Sequence, residues 1–378
     1  MQGSKPKEHI YPQADAYFKS VLTAITQAQS QIDMEVYIFN IDTIGQKISQ
    51  ALIQAAQRGV QVRLLVDGMG VNVDFILTAK RLIAAGAQVH IHRPLPWHLE
   101  QWSLSLSSAK GLQKFWYLLS NINQRNHRKL LIIDQKAIWL GSINVSQKHL
   151  STKHGGESWR DTAIELHHID TDAIQSIFDL NWNRWKTKGK KKLSQKILPS
   201  PFLFNFTRPL RQAQRKQLLS RIAKAQDHIW ITNAYFVPDS KLLNALVKAS
   251  NKGIDVRFVL PSQSDVFFIP WAASFFYEQL LNAGARIYEY QAGVLHAKTL
   301  IIDDWASIGS SNFNRRSLQH DLEVDYTLQL SESVNQLQHD FLDDLKQSEE
   351  LCQYELSIKK PWQRYLGGLI LVLFSYWL

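Results

Sequence analysis

The sequence predicts an α/β fold made of two similar halves, each an α/β/α sandwich with a mixed sheet, packed as a pseudo-two-fold repeat with a shared site between them. Three observations predict it. Short apolar strand-like segments alternate with helical segments, as in sheets covered by helices. The elements of residues 1–190 recur in the same order in residues 205–350. Each half also ends in the same spaced set of polar residues, HRKLLIIDQKAIWLGSIN and then HAKTLIIDDWASIGSSN.

Three pairs of apolar segments define the repeat strand by strand. Each is short and rich in Val, Ile and Leu, as strands buried on both faces of a sheet are. The pairs are Ile32–Phe39 with His228–Phe236, Gly59–Gly68 with Gly253–Ser262, and Ala84–His92 with Asn282–Tyr290. Each half is therefore predicted to run strand, helix, strand, helix, strand and then a motif strand.

The first of these helices is predicted over about Ile44–Arg58. Its apolar residues recur at helical spacing, at Ile44, Ile48, Leu52, Ile53 and Ala56. Gly59 and Gly253 lie just before the second strand of each half, where the C-terminal cap of a helix favours glycine. Lysines and prolines cluster at Lys186–Phe204, which we take as the boundary between the halves.

One insertion distinguishes the halves. Gly86 and His127 are 41 positions apart, whereas Gly284 and His296 are 12 apart, so the first half holds 29 additional residues, roughly 93–122. Long insertions between core strands are usually functional loops or lids. Because this one is rich in aromatic residues, we predict a lid or a membrane-contacting segment. A surface excursion with a small core of its own is the alternative.

The two ends of the chain carry different signals. The C-terminal tail, 359–378, begins with basic residues and continues as Tyr365–Leu378, which has no charged side chain. As a helix that run would be about 21 Å long, shorter than a hydrocarbon core of roughly 30 Å. Its flanking aromatic and basic residues favour a membrane-surface anchor, although a last helix docked on the protein also fits. The N-terminus has no apolar h-region, so no secretory signal peptide is predicted.

Charge and cysteine content narrow the class of protein. The formal net charge of +10 favours polyanionic partners, either nucleic acid or an anionic lipid surface. Part of that charge is the run KTKGKKK at Lys186–Lys192, which is typical of a solvated linker. Cys352 is the single cysteine, so no intrachain disulfide can form and the fold needs no oxidising compartment.

The repeated polar residues carry the chemistry. Alternation along a strand places His127 and Lys129 on one face, and His296 and Lys298 likewise. An apolar run follows each pair, so these strands are predicted to be buried. Buried histidine and lysine are costly unless they face a polar cavity or a charged ligand.

A Gly-Ser-x-Asn segment follows a predicted return strand in each half. It supplies Ser142 and Asn144 in the first half and Ser310 and Asn312 in the second. Glycine lets the backbone approach the site closely, and serine and asparagine offer uncharged hydrogen-bond donors. If the halves pack face to face, two histidines, two lysines and two asparagines converge on one pocket.

Such a pocket suits transfer of a phosphate-linked group. Lysines and amides neutralise a phosphate and stabilise the charge of the transition state. One neutral histidine attacks phosphorus and forms a phosphohistidine. The other, protonated, donates to the leaving oxygen and then takes a proton from the acceptor. A near-neutral pKa suits histidine to both roles. Because the lysines supply positive charge, neither a metal nor a cofactor is predicted.

Four acidic residues are assigned supporting roles. A catalytic histidine needs an acceptor on its other nitrogen, and Asp161 and Glu323 lie at comparable distances downstream of the two motifs. We predict that each of them pairs with the motif histidine of its own half. Asp134 and Asp303 fall at the turns that end the motif strands, where a structural role in the hairpin is expected.

A single H-x-K-x4-D match is weak, but two matches that each end a repeat and precede Gly-Ser-x-Asn are specific. With this doubled motif the chain resembles the phospholipase D superfamily from about Ile10 to Leu345. Within the superfamily it is most similar to bacterial cardiolipin synthases. The supporting stretches are WRDT (Trp159–Thr162), NAYFVP (Asn233–Pro238) and GSSNFNRRSLQHDLEVD (Gly309–Asp325).

The resemblance implies phosphatidyl transfer. One phosphatidylglycerol would give its phosphatidyl group to an enzyme histidine and release glycerol. A second phosphatidylglycerol, or phosphatidylethanolamine in some family members, would accept it. The family tends to use the first-motif histidine as nucleophile, which gives this role to His127 and the acid/base role to His296. The near-symmetry of the halves leaves the reverse assignment open.

Two departures from the family pattern carry expectations. The second hairpin is one residue shorter than usual, which predicts a tighter turn. The N-terminal membrane helices of some cardiolipin synthases do not precede the match. We therefore expect a peripheral or tail-anchored enzyme at the cytoplasmic face of the bacterial cell membrane.

The sequence alone leaves three other functions open. A phospholipase D hydrolase would use water as the acceptor, and the sequence does not separate it from a transferase. A nuclease of the same superfamily is favoured by the basic charge, but the apolar tail and the insertion make nucleic acid an unlikely partner. A basic binding protein without activity is disfavoured by intact His-Lys pairs in both halves.

Overall fold

The computed structural model describes residues 6–105, 124–183, 200–352 and 366–371. The predicted insertion, 93–122, is described only as far as Ser105, where it forms a 3₁₀ segment, Leu99–Leu104. The basic run Lys186–Lys192 lies outside the described residues, as does most of the tail.

The first half is a seven-stranded mixed sheet with helices on both faces. Its strands are β1 (Lys7–Tyr11), β2 (Gln31–Val36), β3 (Gln61–Asp67), β4 (Gln88–His92), β5 (Leu130–Ile133), β6 (Ala137–Gly141) and β7 (Ala163–His167), and its helices are α1 (Ala14–Gln27), α2 (Thr43–Gln57), α3 (Val73–Ala84) and α4 (Asp172–Trp182). The strand order is β1-β7-β6-β5-β2-β3-β4. Strands β2, β3 and β4 are parallel, and the remaining pairs are antiparallel.

The second half repeats this order and adds one edge strand. Its strands are β8 (Phe202–Phe204), β9 (His228–Asn233), β10 (Asp255–Pro261), β11 (Arg286–Tyr290), β12 (Lys298–Ile302), β13 (Trp305–Gly309), β14 (Val324–Thr327) and β15 (Ser348–Leu351), and its helices are α5 (Arg208–Lys224), α6 (Ser240–Asn251), α7 (Ile269–Asn282), α8 (Arg315–Gln319) and α9 (Ser331–Lys346). The strand order β15-β11-β10-β9-β12-β13-β14-β8 is that of the first sheet read in reverse, with β15 added. The predicted two-half α/β fold is confirmed.

Equivalent local signals start and end equivalent helices. The carboxylate of Asp42 accepts the backbone N–H groups at the start of α2, and Asp239 does the same for α6. This satisfies donors that have no partner within the helix. Gly59 and Gly253 follow the last turns with φ of 88° and 87°, a conformation that costs glycine little. The predicted helix Ile44–Arg58 is observed one residue earlier, as Thr43–Gln57.

Three apolar cores order the layers. One lies between the first sheet and α1, α2 and α3, and its counterpart lies between the second sheet and α5, α6 and α7. The third is shared, because it combines side chains of both sheets with those of α4 and α9. Burial of this shared apolar surface holds the halves together and fixes the strand ends that face each other.

The described part of the tail, residues 366–371, is helical and packs against α7. A Cβ added at Gly367 would lie 2.1 Å from the carbonyl oxygen of Trp271, so the two backbones are in close contact. Ile370 and Leu371 pack beside the buried side chains of Ile269 and Ala272. In these six residues the tail is a docked segment that exposes Leu369.

Within the described ranges, none of the helices combines the length and the apolar character needed to cross a bilayer.

Candidate active site

The two motif histidines line one cleft between the halves. His127 and His296 lie just before β5 and β12 and are 8 % and 3 % exposed. Both border a cleft of about 640 Å³ that Asn144 and Asn312 also line. The structure therefore brings the four predicted side chains from separate halves to a common space.

Short backbone bridges between the halves set the register of this site. The N–H of His127 donates to the carbonyl of Leu322 at 3.0 Å, and the N–H of His296 donates to that of Arg160 at 2.8 Å. Isolated parallel bridges pair Asn126 with Leu322 and Arg160 with Leu295. Each bridge therefore places a motif histidine beside the residue that follows the bridge on the other half.

The histidine–carboxylate pairs cross between the halves, so the predicted pairing within each half is wrong. Nδ1 of His127 lies 3.1 Å from both carboxylate oxygens of Glu323. Nδ1 of His296 lies 2.8 Å from Oδ1 of Asp161. The bridges are the physical reason, because they bring each histidine against the other half's acidic residue. With Nδ1 engaged by a carboxylate, Nε2 is the nitrogen available to a ligand in the cleft.

Further donors hold each carboxylate. The hydroxyl of Ser142 donates to Asp161 at 2.7 Å, and that of Ser310 donates to Glu323 at 2.5 Å. Both serines and both carboxylates are buried. The serines of Gly-Ser-x-Asn thus act on the carboxylates and not directly on the cleft, which the sequence pattern did not indicate.

The two carboxylates differ in their electrostatics. Burial raises the pKa of Glu323, and the charge of Lys129 only partly offsets that rise. Burial also acts to raise the pKa of Asp161, but the imidazoles of His149 and His296 hold it well below its usual value. Two imidazole donors on Asp161, against one on Glu323, account for the opposite directions.

Each motif lysine bonds to the backbone of its own histidine, and neither lysine lines the cleft, so the predicted convergence of two lysines on the pocket is wrong. Nζ of Lys129 donates to the carbonyl oxygen of His127 at 2.6 Å, and Nζ of Lys298 donates to the carbonyl of His296. Burial lowers the pKa of Lys129 to about 7 and that of Lys298 to about 8. An anion in the cleft would favour the charged forms of both lysines, because opposite charges stabilise each other in a desolvated site.

Burial and the nearby lysines also act on the imidazoles. Burial, and then the charges of Lys129 and Lys298, hold the pKa of His127 well below its usual value. Burial and Lys298 lower the pKa of His296 to about 4. Both imidazoles are therefore neutral at pH 7, and a bound phosphodiester would raise both pKa values by adding negative charge.

The two asparagines have different surroundings. Oδ1 of Asn144 accepts the backbone N–H of Ile38 at 3.1 Å, which leaves its NH₂ group free to donate. Asn312 is 2 % exposed, and within the described part of the chain its Oδ1 has no hydrogen-bond partner. Amide groups at the cleft wall can donate to an oxyanion without adding charge.

The motif aspartates lie at the tight turns after β5 and β12. Asp134 has φ of 52° and accepts backbone N–H groups of Ser30 and Gln31 at 2.7 and 2.9 Å. Asp303 has φ of 50° and accepts those of Asp227 and His228 at 3.0 Å. Each carboxylate thus ties a turn to the start of the neighbouring strand, and neither lines the cleft.

Sequence reasoning missed several cleft residues. Tyr37 and Tyr235 follow equivalent strands, and their rings lie 4.9 Å from His127 and 6.3 Å from His296. Tyr37 lies one residue beyond β2 and Tyr235 two residues beyond β9, so aligning the two halves does not place them at equivalent positions. Trp159, the first residue of the stretch WRDT, also lines the cleft, and its ring lies 5.6 Å from that of His296.

Among the described residues, one group of three could offer ligand atoms to a metal ion: His149, Asp161 and His296, whose candidate atoms lie within 4.8 Å of one another. The two Nδ1 atoms lie 2.6 and 2.8 Å from carboxylate oxygens. These are hydrogen-bond distances, at which each N–H points to an oxygen. In this arrangement the three side chains bind one another.

Comparison with known proteins agrees with this geometry. The family model described as "Cardiolipin synthase, PLD-like domain" matches residues 21–158 and 218–345, one segment in each half. A cardiolipin synthase of Clostridium perfringens is 33 % identical over 351 residues, covering 89 % of this chain and 70 % of that protein. Cardiolipin synthase 1 of Bacillus anthracis is 31 % identical over 354 residues, with 89 % and 66 % covered.

Among solved structures, the phosphatidylserine synthase of Haemophilus influenzae superposes with a TM-score of 0.68 at 12 % identity, covering 98 % of this chain and 93 % of that one. At this identity the match bears on the fold alone. The family match over both halves and the identity to the curated relatives establish membership. The chain belongs to the cardiolipin synthase group of the phospholipase D superfamily and is a phospholipid phosphatidyltransferase.

Proposed function

We propose that this enzyme makes cardiolipin from two molecules of phosphatidylglycerol through a phosphohistidine intermediate. The observation that carries the proposal is the cleft with an imidazole from each half, each with its Nδ1 on a carboxylate and its Nε2 left for the ligand. The names of the relatives favour cardiolipin as the product.

In the first step, Nε2 of His127 attacks phosphorus as the bond to the glycerol oxygen breaks. Protonated His296 gives its proton to that oxygen, so glycerol leaves neutral and the phosphatidyl group is bound to His127. Lys129 and Lys298 stabilise the negative charge on the phosphoryl oxygens. Glu323 stabilises the positive charge that His127 gains.

In the second step, neutral His296 takes a proton from the hydroxyl group of a second phosphatidylglycerol. That oxygen attacks phosphorus, the bond to His127 breaks and cardiolipin is released. Phosphatidylethanolamine is the alternative lipid acceptor. Water at the same position would give phosphatidic acid, the product of a hydrolase.

The substrates reside in a membrane, and the rim of the cleft fits a lipid surface. In the first half Met69 lines the cleft and is half-exposed, and Val73 and Leu77 follow on one face of α3. In the second half Val266 and Phe268 line the cleft, and Phe267 between them is 71 % exposed. Exposed apolar side chains beside a cleft mark an interaction surface.

The repeat supports a single docking face. Helices α3 and α7 follow equivalent strands, so a pseudo-two-fold axis between the halves relates their exposed side chains across the cleft. Trp97 in the first half, 65 % exposed, and Phe275 and Leu369 in the second are further exposed apolar side chains. We propose peripheral attachment of this rim to the cytoplasmic face of an anionic bacterial membrane, with the docked tail contributing.

Product analysis tests the reaction. Liposomes with labelled phosphatidylglycerol should yield cardiolipin and free glycerol, and acid-labile phosphorus should appear on the protein. His127→Ala and His296→Ala should each lower turnover at least 1,000-fold while the thermal unfolding curve is retained. Phosphatidic acid without cardiolipin would refute the synthase proposal in favour of the hydrolase. Lipid-independent DNA cleavage lost in the same variants would favour the nuclease.

The rim is tested by liposome sedimentation. Phe267→Ser and Leu77→Ser should each weaken binding to phosphatidylglycerol vesicles several-fold, with little effect on turnover of a soluble phosphodiester. Ile83→Ser is the matched control, because Ile83 is exposed on α3 but, at 100° per residue, lies on a different face from Leu77. Equal loss of binding in all three variants would contradict the proposed surface.

A further inference from the structure

The repeat has one unequal pair at the carboxylates. Counting from the glycine of each Gly-Ser-x-Asn segment, His149 and Ser317 are both the eighth residue onward. Ser317 is a hydrogen-bond partner of Glu323, and His149 is a partner of Asp161. One half therefore places an imidazole where the other half places a hydroxyl.

His149 is held in one tautomer. Its Nε2 accepts the backbone N–H of Asn144 at 3.3 Å, so the proton of the neutral ring resides on Nδ1. That Nδ1–H lies 2.6 Å from Oδ2 of Asp161. His149 is 3 % exposed, and its ring lies 5.1 Å from that of Trp159 and 5.8 Å from that of His296.

Asp161 is consequently shared between two imidazoles. Its Oδ1 faces Nδ1 of His296 and the hydroxyl of Ser142, and its Oδ2 faces His149. A carboxylate that accepts several charge-assisted hydrogen bonds is less basic toward each donor. Any stabilisation that Asp161 gives to protonated His296 is therefore reduced by the bond to His149.

We propose that His149 is a positioning residue that acts through Asp161, orienting this carboxylate and sharing its negative charge so that protonated His296 is a stronger acid. The proposal rests on the acid/base role given above to His296. It goes beyond the doubled motif, because Ser317 takes the equivalent place beside Glu323.

The other charged groups around His296 belong to different elements and stay in place when His149 is changed. Lys298 lies two residues further along the chain, and Asp265 lines the same cleft, where its carboxylate accepts a hydrogen bond from the hydroxyl of Tyr235 at 2.7 Å. His127 lines the cleft from the other half. If substitution of His149 changes the pH dependence of activity, the change can therefore be attributed to Asp161.

The test is a pH profile of kcat/KM on a soluble chromogenic phosphodiester. His149→Phe keeps the ring but removes the donor, so negative charge concentrates on His296. We expect the limb of the profile that reports the protonation of His296 to move upward by about 0.5 to 1 pH unit. The limb that reports His127 should stay within about 0.2 pH unit. His149→Asn places an NH₂ group near the position of Nδ1 and should restore the native limb.

Two results would overturn the proposal. One is a loss of activity in His149→Phe with both limbs unmoved, which indicates a structural role only. The other is a His149→Asn profile like that of His149→Phe. The native protein gives a test that needs no variant to fold: the ¹⁵N spectrum of its histidine rings should show the Nδ1–H tautomer for His149, and a ring protonated on Nε2 would refute the assignment.

The soluble substrate separates this proposal from the synthase proposal. Release of the chromophore needs the paired imidazoles but no lipid acceptor. A moved limb in an enzyme that makes no cardiolipin would support the role of His149 and reject the synthase function. An unmoved limb in an enzyme that makes cardiolipin would support the synthase function and reject the role of His149.

Discussion

The crossed pairing makes a specific prediction for Glu323→Gln. This change keeps the size of the side chain and an acceptor oxygen for Nδ1 of His127, and it removes the negative charge. His127 becomes positively charged during turnover whether it attacks phosphorus or carries the proton. The variant should therefore fold normally and turn over slowly.

The structure gives the magnitude. Glu323 is 1 % exposed and lies 3.1 Å from Nδ1. A hydrogen bond to a charged group contributes about 1.5 to 3 kcal/mol. At 1.36 kcal/mol for each factor of ten in rate, the loss in kcat is about 10- to 150-fold.

Stability should move in the opposite direction from activity. Burial raises the pKa of Glu323 in the folded protein, so at neutral pH its ionised form reduces stability relative to the unfolded chain. Glu323→Gln removes that cost and should leave the melting temperature equal or higher. The pKa of Asp161 is held well below its usual value, so Asp161→Asn should lower the melting temperature.

The assay is initial-rate kinetics beside thermal unfolding. Asp325→Asn is the matched control, since Asp325 is a neighbouring half-buried carboxylate that binds Ser311 and neither imidazole. It should keep kcat within about threefold. A loss below threefold in Glu323→Gln, or an equal loss in the control, would refute the role of Glu323.

Three further predictions follow from the surroundings of the cleft. Because the pKa of Lys129 is about 7 and that of Lys298 about 8, both side chains are charged below these values and lose their charge above them. The inhibition constant of a soluble phosphodiester should therefore rise about tenfold or more from pH 6 to 9, and a constant value would contradict the role of the lysines. Asp134→Ala and Asp303→Ala should each lower the free energy of unfolding by about 1 to 2 kcal/mol with kcat within threefold, as measured by urea titration and kinetics; a large fall in kcat at full stability would indicate direct participation. Gly141→Ala should destabilise strongly, since a Cβ would lie 2.4 Å from the carbonyl oxygen of Thr162 at φ of 152°, and an unchanged urea midpoint would show that the close contact is absent.

Much of the fold could be predicted because local signals repeat. Short apolar runs, helix caps and the glycines before β3 and β10 are properties of adjacent residues, and each occurs twice in the same order. A second copy makes a chance pattern far less probable than one copy does. The order of strands in each sheet is not local, and it came only with the structure.

The carboxylate partners of the two histidines could not be predicted either, because they too depend on contacts between residues far apart in the chain. Distance along the chain favours Asp161 for His127, but the backbone bridge at Leu322 and Asn126 decides otherwise. Packing of two sheets against one shared core sets that bridge. His149 was missed because its contact with Asp161 depends on the turn after β6, whereas its sequence shows only a histidine in a polar loop.

The crossed pairing also explains why a repeat in one chain suits this chemistry. Each imidazole depends on a carboxylate from the other half, so both halves must be joined for either histidine to be oriented. Two identical halves would give both histidines the same surroundings and the same proton affinity. The reaction needs one neutral and one protonated imidazole at the same pH, and catalysts achieve this by making paired environments unequal.

Here the two environments differ at the carboxylates beside the motifs. Asp161 binds two imidazoles, whereas Glu323 binds one imidazole and Ser317. A chain with fused halves can change one carboxylate site without the other, which a symmetric dimer of half-length chains cannot do.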